Sequence, residues 1–221
     1  GEGQVHFQDR TMPSLLALKE ANLEPITLEA KEGLSLINGT QVSTALGIRS
    51  LFESEKLLKT ADISGALSTE ASLSTNVVFN PIVHKLKKHP GQIKVAENIY
   101  NLLKGSEIVK SHSDCGQVQD PYSIRCMPHV HGASRDVFNN VENIINNELN
   151  SISDNPLVFQ NGQIMNSGHF HAEHVAQALD SLSIAMSEIG AIAERRINYF
   201  MKGIGDRIPM FGAVNPGLES G

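Results

Sequence analysis

Apolar residues recur at helical intervals along most of the chain. Between His171 and Met201 they fall at Val175, Leu179, Leu182, Met186, Ile189, Ala193, Ile197 and Phe200, in steps of 4, 3, 4, 3, 4, 4 and 3. That spacing puts one seam on one face of an α-helix, directed at partner helices. Roughly 30 residues at 1.5 Å each make a rod of about 45 Å. Such a rod predicts an extended helix bundle, completed by other subunits. A second helix is predicted from about Pro121 to Asn150, with Val137, Val141, Ile144, Ile145 and Leu149 as its stripe. Asn139, Asn143, Asn146, Asn147 and Asn150 lie mostly on the other side, as a solvated face of a mediocre helix former.

Shorter helices are predicted near 13–21, 29–37, 40–58, 60–73 and 92–104, the last with Ile93, Ala96, Tyr100 and Leu103 on one side. Strand signals are few. Gln4–Phe7 reads as a strand turning at Asp9-Arg10. Leu157–Phe159 and Gln163–Met165 flank Gln160-Asn161-Gly162, a hairpin with Asn-Gly at its turn. Val77–Phe79 reads as extended before Asn80-Pro81. The expected class is mainly α, a long-helix bundle with short β-hairpins. The basic cluster Lys85, Lys87, Lys88 and His89 reads as a solvated helix end.

Composition narrows this further. The 221 residues hold 18 Lys and Arg against 24 Asp and Glu, a net charge of −6, with 40% hydrophobic and 19% charged residues. Those fractions exclude a disordered chain, and the acidity argues against a nucleic-acid binder. Cys115 and Cys126 form neither a CxxC motif nor a disulfide scaffold, which points to a reducing, cytoplasmic setting. No apolar run approaches the roughly 18 residues that span a bilayer. The chain opens on Gly1-Glu2-Gly3-Gln4 with no signal-peptide pattern and no initiator Met, and it stops in loop-like sequence. A fragment of a longer protein is therefore expected.

Four segments carry candidate chemistry. In Gln119-Asp120-Pro121-Tyr122-Ser123-Ile124-Arg125-Cys126, Asp120 reads as an N-cap and Pro121 as the first helical residue. Tyr122 and Arg125, three apart, then share a face, with Gln119 just outside the helix. A guanidinium at a helix start makes a carboxylate site, and a phenol beside it can exchange a proton. From spacing alone an ordinary capped helix with a surface Arg is the simpler reading. Leu36-Ile37-Asn38-Gly39-Thr40-Gln41 breaks one helical segment from the next and can turn the Asn38 amide toward a pocket, though alone it reads as a helix end. Ser153-Asp154-Asn155-Pro156 has ordinary turn composition. Ser167-Gly168-His169-Phe170-His171-Ala172-Glu173-His174 invites a metal reading, but its order is not the H-E-x-x-H of a zinc protease, and a polar helix start is the default. No Walker loop, G-x-G-x-x-G or G-x-S-x-G occurs.

Together these segments resemble the aromatic amino acid ammonia-lyase family. Leu36–Gln41, Val118–Cys126, Ser153–Leu157 and Asn215-Pro216-Gly217-Leu218 look like family signatures in family order, and Phe170-His171-Ala172-Glu173 resembles the histidine branch more than the phenylalanine and tyrosine branches. The resemblance covers nearly the whole chain. It implies a fumarase-like helical core, with residues 1–221 as part of a single helical lyase domain and long helices forming a homotetramer. It implies elimination of ammonia from L-histidine to give trans-urocanate, with a methylidene-imidazolone electrophile made from an Ala-Ser-Gly tripeptide. From the acidity, the absence of a long apolar run and the histidine spacing, no nucleic-acid partner, no membrane partner and no metal are expected.

By the same resemblance, Asn38 would orient the electrophile or substrate and Tyr122 would transfer or position a proton. Arg125 would bind the substrate carboxylate and Gln119 would hydrogen-bond in the pocket. Asn155 would support the electrophile or carboxylate, and Phe170 would pack on the electrophile or substrate ring. The chain departs from the family in holding no Ala-Ser-Gly. Family members carry that tripeptide shortly before a Gly-Glu-Gly like Gly1-Glu2-Gly3, so the isolated chain is expected to be inactive. A tyrosine or phenylalanine lyase of the same family, or a non-catalytic helical assembly subunit, are the alternative expectations.

Overall fold

Helical periodicity governs the structure these residues adopt. The computed structural model describes residues 2–215 and 217–219. Gly1 of the opening Gly-Glu-Gly and Pro216 of the Asn-Pro-Gly-Leu signature therefore lie outside the described residues. The chain divides into two units, Gly1–Gly39 with Asp154–Phe170, and Thr40–Ser153 with His171–Gly221. The fold class is mainly α, and the only strands among the described residues form two short pairs.

The first unit begins with β1 (Gln4–Phe7) paired antiparallel to β2 (Arg10–Pro13), Phe7 opposite Arg10. Gln8 and Asp9 at the turn take φ of 47° and 59°, the left-handed pair that a two-residue hairpin requires. Helices α1 (Ser14–Glu20) and α2 (Glu32–Ile37) follow. The second hairpin pairs β3 (Leu157–Val158) with β4 (Ile164–Met165), as the Asn-Gly turn predicts. There Gly162 takes φ +81°, and the Gln163 N–H donates to Asn161 Oδ1 at 3.0 Å.

In the second unit, α3 runs unbroken from Gln41 to Ala71. The expected break near residue 59 is absent. Leu58 and Ala61 both lie on the buried stripe, and Lys59-Thr60 between them contains no Gly or Pro to interrupt the ladder. Val77–Phe79, expected to be extended, forms a 3-10 turn. The proline constrains only Asn80, which is extended at ψ 123°, while Phe79 is fully buried and pulls the chain round. Asn80 then caps α4 (Pro81–Lys85), accepting from the Ile82 N–H at 3.1 Å. Lys85, Lys87, Lys88 and His89 are exposed, as expected of a solvated helix end. Helices α5 (Pro90–Leu102) and α6 (Glu107–Lys110) come next.

The predicted helix from Pro121 to Asn150 is two helices, α7 (Tyr122–Arg125) and α8 (Met127–Leu149), parted at Cys126. Helix α9 spans Glu173–Met201, and its buried face is Val175, Ala178, Leu182, Ala185, Ile189, Ile192 and Arg196. The predicted seam drifts off this face toward its C-terminal end, where Ile197 is 63% exposed and Arg196 is buried instead. The buried face keeps alternate steps of 3 and 4 to Arg196, whereas the predicted seam takes two steps of four in succession, Ile189 to Ala193 to Ile197, and so leaves it.

Two apolar clusters hold this unit. Leu51 and Leu58 of α3 pack with Phe138, Val141 and Ile145 of α8 and Val175, Leu182 and Ile189 of α9. Ala66, Phe79, Val95, Ile99, Ile124, Met127 and Ile192 form the second. A buried carboxylate joins three helices across this core: Asp62 accepts from Asn98 Nδ2 (3.1 Å), His131 Nδ1 (3.0 Å) and Arg135 Nη2 (3.0 Å). Small residues set the spacing. A Cβ on Gly132 would lie 2.3 Å from Gln92 Cα and 2.4 Å from Gln92 N, so α5 and α8 cross backbone to backbone. No helix among the described residues is long and apolar enough to cross a membrane.

That crossing is testable. Gly132→Ala forces a methyl into backbone that cannot yield as a side chain would, at a cost of about 3 kcal/mol. In a chain of this size the melting temperature should fall by roughly 6–12 °C. Thermal melting followed by circular dichroism measures it, and an unchanged midpoint would show that the two helices do not approach so closely.

Candidate functional site

In the second unit, the segment before α7 is fastened by Asp120, but not as a helix cap. Pro121 has extended backbone (φ −58°, ψ 154°) and α7 begins only at Tyr122, with no side-chain cap. The buried Asp120 carboxylate instead accepts from the Thr75 N–H at 2.9 Å and from Gln117 Nε2 at 3.3 Å. It acts as a strut between the end of α3 and the entrance to α7. Four residues are too short for the cooperative dipole expected of a helix start, so the positive charge here is that of Arg125 itself.

Helix α7 survives because it is anchored. Ile124 is fully buried against Phe79, Val95, Ile99, Met127 and Ile192. Burying such a side chain stabilises by about 2–3 kcal/mol, enough to hold a single turn that would not persist alone. The anchor leaves the opposite face outward: Tyr122 is 72% exposed. The expected shared face of Tyr122 and Arg125 is realised, with the guanidinium carbon 4.7 Å from the centre of the phenol ring. Gln119 is exposed, and its backbone carbonyl accepts from Gln117 Nε2 at 3.2 Å.

Arg125 makes no salt bridge among the described residues, and its buried Nε donor has no acceptor there. A partly buried guanidinium with an unmet donor is suited to a carboxylate, which accepts two parallel N–H bonds. Tyr199 lies close enough to Asp120 to feel its charge, a proximity the spacing did not reveal. Burial and the Asp120 carboxylate push its phenol pKa upward, so it stays neutral.

In the first unit, α2 ends at Ile37 and Asn38 leaves the helix with extended backbone (φ −118°, ψ 97°), as the Asn-Gly break predicts. Its side chain is exposed, and its N–H donates to the Leu34 carbonyl at 2.9 Å. Asp154 accepts on one oxygen, Oδ2, from both Ser35 Oγ (2.7 Å) and Lys31 Nζ (2.9 Å). The neighbouring Asn155 accepts on Oδ1 from the Ser167 N–H at 2.6 Å. That bond fixes which end of the amide is oxygen and leaves the amide nitrogen as a donor without a partner among the described residues. Phe170, three residues past Ser167, is 44% exposed. The structure thus links the segments bearing Asn38, Asn155 and Phe170 through side chains, a connection that turn composition did not reveal.

The histidine-rich segment is organised locally, His169 Nδ1 lying 2.6 Å from Ser167 Oγ. Among the described residues no group of three or more His, Cys, Asp or Glu side chains is placed to hold a metal ion.

Comparison with known proteins identifies the family of the chain. The family model described as aromatic amino acid lyase matches residues 1–221. A curated histidine ammonia-lyase of Photorhabdus laumondii is 47% identical over 223 residues, covering 100% of this chain and 43% of the relative. One from Koribacter versatilis is 44% identical, covering 100% and 46%. Among solved structures, histidine ammonia-lyase from Trypanosoma cruzi superimposes with a TM-score of 0.87 at 42% identity, covering 100% of this chain and 42% of that one. Pantoea agglomerans phenylalanine aminomutase gives 0.89 at 35%, covering 99% and 46%. The chain spans less than half the length of the curated relatives it matches. With a family model matched from end to end and the same helical core in solved relatives, the chain belongs to the aromatic amino acid lyase family.

Proposed function

We propose that these residues belong to an ammonia-lyase that converts L-histidine to trans-urocanate and ammonia. The observation that carries this reading is Arg125: a guanidinium with no acid partner and an unmet buried donor among the described residues, held at the tip of an anchored turn beside an exposed phenol. Its similarity to curated histidine ammonia-lyases favours histidine over other aromatic amino acids.

In this reading Arg125 binds the substrate carboxylate through both oxygens. Tyr122, one turn away, positions or transfers a proton. Gln119 offers an exposed amide to the substrate. Asn38 and Asn155 present amide groups that orient substrate and electrophile, and Phe170 offers an aromatic face. The exposed Asn38 side chain and the Asn155 amide nitrogen, without a partner among the described residues, fit a group with a ring carbonyl to accept from them, such as a methylidene-imidazolone. The chemistry such an electrophile, formed from an Ala-Ser-Gly, would supply is electron withdrawal from the bound amino acid, which would make its weakly acidic β-proton removable. The isolated chain lacks the tripeptide and is inactive.

The whole enzyme is a cytoplasmic homotetramer whose subunits associate through long helices. Leu46, Phe52, Ile63 and Leu67 of α3 and Ile184 and Ile197 of α9 are each more than half exposed, a set of apolar side chains that association would cover.

The polypeptide carrying Ala-Ser-Gly and these residues should convert L-histidine to a product with the absorbance of urocanate. Turnover of tyrosine or phenylalanine alone would overturn the histidine assignment, and no turnover of any of the three would favour a non-catalytic helical subunit. Arg125→Ala should remove about 2–5 kcal/mol of transition-state binding, roughly 30- to 4,000-fold in kcat/KM. Arg125→Lys should lie between, since it keeps the charge and loses the fork. Unchanged kinetics in Arg125→Ala would remove its role.

A further inference from the structure

Helix α2 buries no side chain at all. Its six residues are too few to be stable by themselves, and yet they must present Asn38 in one place. The apolar contacts that hold α7 are lacking here, so something else orders this segment. The side chain that does so is Asp154, itself only 7% exposed. Lys31, which caps the start of α2, and Ser35, four residues on within it, both reach Oδ2 of that carboxylate, at 2.9 and 2.7 Å. Two donors on one oxygen, one of them an ammonium, make a short charge-assisted tether.

The tether has functional residues at each end. Asn38 caps α2 three residues beyond Ser35, and Asn155 directly follows Asp154. Asn155 continues the chain of bonds through Oδ1 to the Ser167 N–H at 2.6 Å, three residues before Phe170. We propose that Asp154 is a positioning residue: its carboxylate clamps α2 to the Asn155 turn and so holds Asn38 and Asn155 in a fixed relative placement for the reaction. This rests on the ammonia-lyase reading above. Asp154 touches no reacting atom, and its effect reaches the chemistry only through Asn38 and Asn155.

The charge state is consistent with a clamp that is closed at neutral pH. Hydrogen bonds from Lys31 and then Ser35 hold the Asp154 carboxyl below the usual carboxylate range. A carboxylate whose pKa is depressed on folding contributes above its unfolded value and is lost only as pH falls through the folded one. The tether is therefore intact throughout the neutral range.

The test uses the full-length holoenzyme with Ala-Ser-Gly present. In Asp154→Ala, kcat per folded molecule should fall roughly 10- to 100-fold, the size of effect that a displacement of about 1 Å produces. KM should change by less than about threefold, since Arg125 in the other unit still grips the carboxylate. The melting temperature should fall only slightly, because no residue of α2 is buried and what is lost is one ion pair and one hydrogen bond. The Ser167 amide should exchange hydrogen faster in Asp154→Ala and not in Arg125→Ala. Lys31→Met should follow Asp154→Ala, and Lys31→Arg, which keeps a cation, should lose less. Turnover within twofold of wild type in both Asp154→Ala and Lys31→Met overturns the proposal. So does a loss of kcat that tracks a lowered melting temperature and is equal in Lys31→Arg and Lys31→Met. The wild-type control separates the two readings: a wild-type enzyme that deaminates tyrosine or phenylalanine overturns only the histidine assignment, and the same kinetics are then read on that substrate. Wild type inactive on every amino acid overturns the lyase reading and this role with it.

Discussion

Side-chain size where helices cross is the constraint on which the larger unit depends. Gly47 places α3 within 3.0 Å, for an added Cβ, of Ile145 Cδ1, and Gly132 brings α8 onto the backbone of α5. Gly65 leaves room for the Met127 sulfur, which a Cβ there would meet at 2.6 Å. These close approaches let the apolar stripes of α3, α8 and α9 interdigitate at the density of a protein interior. They also bring Asp62 within reach of donors on both α5 and α8. A carboxylate so deeply buried is tolerable only because Asn98, His131 and Arg135 all donate to it.

Two different devices hold chemistry in place. At α7 the device is apolar: one isoleucine sunk into the core fixes a single helical turn, and the polar side chains on its outer face are carried along. At α2 the device is polar: a lysine and a serine meet one carboxylate, and no side chain of the helix is buried. Burial resists displacement in every direction but is indifferent to exact placement. A short charge-assisted bond is weaker in total and stricter in geometry. An exposed amide that must face a reactant in one orientation benefits from the second kind of constraint.

The helix rhythm was legible because apolar side chains repeat with the period of the backbone. The second hairpin was legible for a related reason, since Asn161-Gly162 meets a backbone demand that few residues can, whereas the first turns at Gln8-Asp9, one residue before the expected Asp9-Arg10. The errors fall where tertiary contacts outweighed local signals. Asp120-Pro121 has the composition of a helix start, yet the Asp120 carboxylate finds the Thr75 N–H at 2.9 Å and the helix begins later. Val77–Phe79 has β-branched character, yet burial of Phe79 curls it into a turn. Arg196 took the buried position predicted for Ile197 because the buried face keeps alternate steps of 3 and 4 from Ile189 to Ile192 to Arg196, and the packing against neighbouring helices follows that face whatever side chain stands on it.

By itself the sequence determined the class of fold, the positions of the long helices and the family, for these rest on periodicity and on signatures in order along the chain. It also determined that Tyr122 and Arg125 stand together, because helix geometry makes neighbours of residues three apart. Only the tertiary structure decided that Arg125 lacks an acid partner among the described residues, that Ile124 anchors its turn, and that Asp154 ties α2 to the Asn155 turn. Those facts depend on residues far apart in the chain meeting in space, and composition or spacing along a chain carries no record of which distant groups will meet.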